Sequence, residues 1–184
     1  VAPVVVVCRF RPVTPKAAIY KSPETWYNRV VKGSQVIHER RILTMQIGEF
    51  EFPDELYYDK EHGWVRVDGD VVTQGMTAYG QHIAGEIIYV EVPRAGRTVE
   101  QGKPFMSMES GKWVGRIKAA VSGEIVEANE ELEMDSTLIN ESPYDEGWLV
   151  KIEASSLEDD LKELMRASDP AYQAFVQAEM AKYE

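Results

Sequence analysis

Between Tyr57 and Glu153 the chain sets apolar and polar residues in short alternating runs broken by turn residues, the period-two pattern of half-buried strands. "WVRVDGDVVTQG" predicts a hairpin, because two strand-like runs flank Asp68-Gly69. "TAYGQHIAG" predicts one or two helical turns, with Thr77 as the cap and Gly85 as the stop. Then come "EIIYVEVP", a turn near Ala95-Gly96, a short run at Thr98-Val99 and a turn at Gln101-Gly102. "KPFMSME" and "WVGRIKA" flank Ser110-Gly111, which reads as a two-residue hairpin turn whose central positions include one of positive φ. Ser122-Gly123 reads as a second small-residue turn, and "GEIVEAN" and "GWLVKIE" supply the last strands. Many short strands separated by turns every 8–12 residues or so predict a mainly β domain, a sandwich or a barrel.

"AGEIIYVEVP" and "SGEIVEANEE" each start a strand with Gly-Glu-Ile after a small residue, a faint echo between two halves. The tail predicts helices. Ser155 or Ser156 can cap the first, with Glu158 to Asp160 near its positive end. Leu157, Leu161, Leu164 and Met165 form one apolar stripe. Asp169-Pro170 restarts a helix as cap and first position, and Tyr172, Phe175, Val176 and Met180 form its stripe. Before residue 49 the pattern is mixed. Pro12, Pro15 and Pro23 interrupt it, and "WYNRVV" and "RRILTMQI" fit short strands or helical turns.

Charge divides the chain near Gly48. Residues 1–48 hold eight Lys/Arg against two Asp/Glu, and residues 49–184 hold twelve against twenty-nine. The expected organisation is therefore a basic extension, 1–48, and an acidic body, 49–184, with helices from about Ser155. Such a body repels nucleic-acid phosphates and suits partners with basic clefts. The extension has the basic, acid-poor character of a transit peptide but only two serines, and its role is not legible. The apolar run Pro3 to Cys8 is shorter than a secretory core, and no run approaches the roughly 20 residues of a membrane-spanning helix. Cys8 is the only cysteine, which rules out an internal disulfide and fits a reducing compartment.

Little in the chain suggests catalysis. His38, His62 and His82 lie in no local catalytic motif, no histidine pair has metal-ligand spacing, and no phosphate-binding glycine motif occurs. The acidic runs Glu130-Glu131 and Glu158 to Asp160 read most simply as solvated faces. Lys112, directly after Ser110-Gly111, is different in kind. A solvated ammonium lacks the desolvation that Schiff-base chemistry needs. An exposed amine on a rigid turn does suit covalent attachment of a prosthetic group.

"KEHGWVRVDGD", "GMTAYGQHIAGEIIYVEVPRAGRTVEQG", "MESGK", "AAVSGEIVEANEEL" and "LINESPYDEGWLVKIEASS" resemble, in that order, the H protein of the glycine cleavage system, from about Phe52 to Glu184. The resemblance implies a lipoyl-domain-like β-sandwich (a barrel-sandwich hybrid) with C-terminal helices. It also implies a carrier with no catalytic residues of its own. Family members bear lipoate in amide linkage to a lysine in a Glu-Ser-x-Lys turn. Glu109, Ser110 and Lys112 match it, Gly111 fills the free position, and Val121 to Gly123 stand at the family's spacing. Lys118 is the competing lysine, but it lies in a strand without that context. A biotin carrier is a rival of related fold, although biotinylated lysines usually stand between methionines and Lys112 has Gly111 and Trp113 beside it. An unmodified scaffold is the remaining alternative. Gly111 and Trp113 replace the family's usual valine and alanine, and "ESGKWVG" is similar to the lipoate-binding proteins of heterodisulfide-reductase-like sulfur oxidation. The expectation leans to that branch, with the glycine cleavage H protein and its aminomethyl cargo as the alternative. The implied partners are a lipoate ligase or lipoyl transferase, with either a heterodisulfide-reductase-like complex or the glycine cleavage enzymes. Nucleic acid, membrane and metal are not expected, and the implied location is the cytoplasm, or the mitochondrion in a eukaryote.

Overall fold

The computed structural model describes the backbone of Tyr27–Lys32 and Gln35–Arg40 and residues 43–183. Cys8 and the proline-broken stretch before Tyr27 lie outside the described residues. The chain divides into two units, Val1–Arg41 and Ile42–Glu184. In the first, strands β1 (Tyr27–Lys32) and β2 (Gln35–Arg40) pair antiparallel. The second opens with the hairpin β3 (Thr44–Ile47) and β4 (Phe50–Pro53). The charge step at Gly48 falls inside the turn of this hairpin, within the second unit, because the two strands pair with each other across it.

The strands that follow are β5 (Tyr57–Tyr58), β6 (Gly63–Asp68), β7 (Val71–Met76), β8 (Ile87–Val90), β9 (Thr98–Val99), β10 (Pro104–Ser110), β11 (Val114–Lys118), β12 (Gly123–Ala128), β13 (Trp148–Ala154) and β14 (Met165–Arg166). The helices are α1 (Ala78–Ala84), α2 (Leu138–Glu141), α3 (Leu157–Asp160) and α4 (Pro170–Tyr183). A seven-stranded sheet runs β14-β5-β6-β7-β13-β12-β9, and a three-stranded sheet runs β11-β10-β8. The hairpin expected at Asp68-Gly69 is β6–β7, turning at Gly69-Asp70, and of the echoing Gly-Glu-Ile segments one starts β12 while the other leaves α1 at Gly85 and enters β8 only at Ile87.

Strand alternation builds two cores. Val65, Val72, Ile125, Leu149 and Ile152 of the larger sheet pack with Val90, Met106 and Met108 of the smaller, the filling of a sandwich. One residue along β6, Trp64 points the other way, into a second core with Phe52, Tyr58, Tyr79, Tyr172 and Val176. Tyr172 stacks on Tyr58 at 4.9 Å between ring centroids and meets Phe52 edge-on at 5.7 Å. The α4 stripe expected from sequence is thus the lid of this second core. The single buried polar side chain of β7, Gln74, is paired at both ends: its Nε2 donates to Lys118 O at 2.8 Å and its Oε1 accepts from Ala120 N at 2.9 Å. That pins the end of β11 to the larger sheet.

Four expectations fail. The helix read over Leu157–Met165 is only one turn, α3, and a 3-10 turn (Leu161–Glu163). Leu164 is then extended and Met165–Arg166 pairs with Tyr57–Tyr58, so a long-range strand partner overrides the helical stripe. Ser156 sits at the start of α3 without a side-chain cap bond. Asp160 is no solvated carboxylate: it is buried, and its Oδ2 accepts from Ser122 N at 2.6 Å. Gly123 is not a turn residue but the first of β12, where a Cβ would stand 2.1 Å from Glu153 O; the chain bends before it, through buried Ala120 and Val121.

Candidate functional site

The β10–β11 hairpin is closed by Ser110. Its N–H donates to Trp113 O at 2.8 Å, and its Oγ accepts from Lys112 N at 3.2 Å and Trp113 N at 3.1 Å. The hydroxyl also donates to Ala84 O at the end of α1. Glu109 pairs with Val114, so the tip of the loop is Gly111-Lys112 rather than the expected two-residue turn Ser110-Gly111. Gly111 has no positive φ, and a Cβ there would meet nothing within 4 Å. The serine side chain supplies what a glycine was expected to supply, as in turns where a hydroxyl replaces a backbone acceptor.

The anchor for Ser110 is itself braced. Thr77 caps α1 by accepting from Gly80 N, and Gly85 ends it at φ +87, a conformation cheap only for glycine. Asn140 of α2 clamps this exit: its Nδ2 donates to Gln81 Oε1 at 2.6 Å and Gly85 O at 3.1 Å, while its Oδ1 accepts from Ile87 N at 2.9 Å. Asn140 lies in "LINESPYDEGW" with no local signal of this role, because only the folded chain sets α2 against α1.

Lys112 is exposed, and among the described residues no hydrogen bond or ion pair engages its Nζ. Its aliphatic stem lies over Gly85; a Cβ on that glycine would stand 3.6 Å from Lys112 Cδ. The side chain reaches two hollows. One is a cleft of about 460 Å³ whose walls include His62, Met76, Ile83, Trp113 and Ile117. The other, of about 630 Å³, is lined by Phe50, Tyr79, His82 and Met180. Glu109 stands exposed on the outer face of the small sheet, beside exposed Tyr89 and Val114. Lys118, the competing lysine, is occupied: its Nζ bonds Glu61 Oε1 at 2.8 Å, and that hydrogen bond raises its pKa.

The cleft also holds half-buried ionisable groups. Burial pushes the Asp59 carboxyl above the usual carboxylate range, against the pull of N–H bonds from Gly63 at 2.7 Å and Glu61 at 2.8 Å. Burial lowers the His62 pKa, with Glu179 and Glu61 opposing. His62 holds a left-handed backbone, φ 64, stacks on Phe175 at 5.6 Å, and among the described residues its buried Nδ1 has no hydrogen-bond partner. His82 instead packs on Phe50 at 5.0 Å. His38 lies in β2, where only the backbone is described. Among the described residues no group of three or more acidic, histidine or cysteine side chains is placed to hold a metal ion. The arrangement can present an amine on a stiff post and shelter an attached chain beside it.

A family model described as Glycine cleavage H-protein matches residues 56–179. Probable glycine cleavage system H protein 3 of Sulfurisphaera tokodaii is 49% identical over 109 residues, 59% of this chain and 79% of that protein. The glycine cleavage system H protein of Staphylococcus saprophyticus is 48% identical over 115 residues, 62% of this chain and 90% of that protein. The probable H protein of Pyrococcus furiosus is 46% identical over 125 residues, 67% and 92% of the two chains. The crystal structure of a glycine cleavage system H protein from Mycobacterium marinum superposes with a TM-score of 0.60 at 31% identity, covering 67% of this chain and 98% of that one.

Proposed function

Because the chain belongs to the glycine cleavage H-protein family, whose members carry lipoate covalently on a lysine, we propose that it is the H protein of a glycine cleavage system with its lipoyl group on Lys112. It is a carrier component and not itself a catalyst. Attached lipoamide supplies a cyclic disulfide that opens on two-electron reduction to a dithiol, one sulfur of which can bear a one-carbon group. The observation that carries the choice of Lys112 is the unengaged Nζ on a tip fixed by Ser110 to α1. Ser110 sets the direction of the post, Gly85 lets the stem lie flat, and the adjacent cleft is of the size that small-ligand sites have, roughly 300–1,000 Å³. Exposed Glu109 and Gly111 are free to be read by a lipoate ligase.

The relatives' names support the glycine cleavage reading, with a glycine decarboxylase and an aminomethyl-transferring enzyme as partners, and lend nothing to the sulfur-oxidation lean drawn from Gly111 and Trp113. Two measurements test the reading. Incubation with lipoate ligase and lipoate should add one lipoyl mass to the wild type and to Lys118→Ala but none to Lys112→Ala; modification that survives loss of Lys112 overturns the assignment. The lipoylated protein should support glycine-dependent CO2 release by a glycine decarboxylase. Failure to do so beside an active control H protein overturns the pathway while leaving the carrier intact.

A further inference from the structure

Trp113 occupies an unusual seat. A Cβ on Gly115 would lie 1.7 Å from its Cζ2 and 2.3 Å from its Cε2, so the indole fills the space that any other residue at 115 would claim. The fold uses the same device once more, where Trp64 lies across Gly75 with its Cε2 2.4 Å from the position of a Cβ. Trp64 is fully buried, and its Nε1 donates to Pro143 O at 2.8 Å. Trp113 is 36% exposed, no hydrogen bond engages its indole N–H among the described residues, and its free face lines the cleft that Lys112 reaches. It lines that cleft and not the second hollow. A large ring thus has a glycine seat beside the lysine and, among the described residues, a face left open to the cleft.

We propose that Trp113 is a positioning residue for the lipoyl arm: its indole, seated on Gly115, forms the wall against which the dithiol end of the arm rests in the cleft. This rests on Lys112 as the attachment site. The chemistry fits, since sulfur is polarizable and packs favourably near aromatic rings, and the cleft, whose lining also carries Glu61, Arg116 and Lys118, presents apolar Met76, Ile83 and Ile117. The pair is interdependent: without the glycine at 115 the indole cannot keep its seat. The consequence is retention, a shielded arm when the carrier is free in solution.

The test starts from intact and peptide-level mass, which must show lipoyl on Lys112 in every variant; an unmodified Lys112 in the wild type would sink the attachment reading, not this one. With the arm reduced, its alkylation by iodoacetamide is followed on the Lys112 peptide, so that Cys8 does not interfere. Trp113→Ala should speed alkylation by roughly two- to tenfold, the range that one sulfur–aromatic contact spans. Trp113→Phe should recover part of the shielding. Gly115→Ala should behave like Trp113→Ala although the tryptophan is still present, with thermal unfolding checking that it folds. The difference in tryptophan emission between lipoylated and unmodified protein should vanish in Trp113→Phe. Wild-type alkylation rates in both Trp113 variants overturn the proposal, and faster alkylation in His82→Ala alone would put the arm in the second hollow instead.

Discussion

At the scale of residues, the hairpin tip depends on one hydroxyl. Ser110→Ala strands the N–H groups of Lys112 and Trp113 and cuts the tie to Ala84. We expect a loss of about 1–3 kcal/mol in urea unfolding together with slower lipoylation. Gly111→Val should change stability by less than about 0.5 kcal/mol, because its φ is not positive and open space surrounds it. A larger loss would mean that the tip is not shaped by Ser110. His62 makes stability sensitive to pH. Its folded pKa lies below that of an unfolded histidine, near 6.5, so between the two the unfolded chain binds more protons. The contribution is fully present above the ordinary histidine range and is lost as pH falls through it. Comparing urea midpoints at pH 7.5 and 5.5, the decline should be smaller in His62→Asn, whose new residue tolerates the φ of 64.

At the scale of elements, two contacts hold what surrounds the site. Gly123→Ala would drive a methyl against Glu153 O where β12 meets β13, and about 1–3 kcal/mol of destabilisation is expected by chemical denaturation. Tyr172→Ala removes the ring that α4 packs on the Phe52–Tyr58 pair, for which about 3–5 kcal/mol is expected. Elements such as β6–β7 and α1 were legible from sequence because their signals are local: the chain turns at Gly69-Asp70, one residue beyond the pair expected to turn it, Thr77 caps and Gly85 stops. The strand at Met165–Arg166 was not, because its partner Tyr57–Tyr58 is more than a hundred residues away and a helical stripe covers it. At the site, Lys112 and Ser110 were visible as residue types in a spacing, whereas the cleft was not. Its walls come from the loop before β6, from α1 and from β11, and only packing joins them.

At the scale of the whole molecule, residues 49–184 carry twenty-nine acidic side chains against twelve basic ones. Such a surface should speed encounter with basic partner faces, and salt should screen it over a Debye length of roughly 8–10 Å near physiological strength. Transfer rates at sub-saturating carrier should therefore fall as ionic strength rises; a flat response would show that charge does not steer docking. With the lipoyl group on Lys112 as proposed, the tie from Ser110 to Ala84 would bear on what happens once a partner has docked. A short flexible tether keeps its end at an effective concentration on the order of millimolar around its root, and that figure drops steeply as the volume searched grows. A hairpin that swayed would add its own sweep to that of the arm and dilute the reacting end. With the arm on Lys112 as proposed, fixing its root to a capped helix removes that sway, so one hydroxyl bond inside the carrier would help to set the local dose of cargo that a docked enzyme receives.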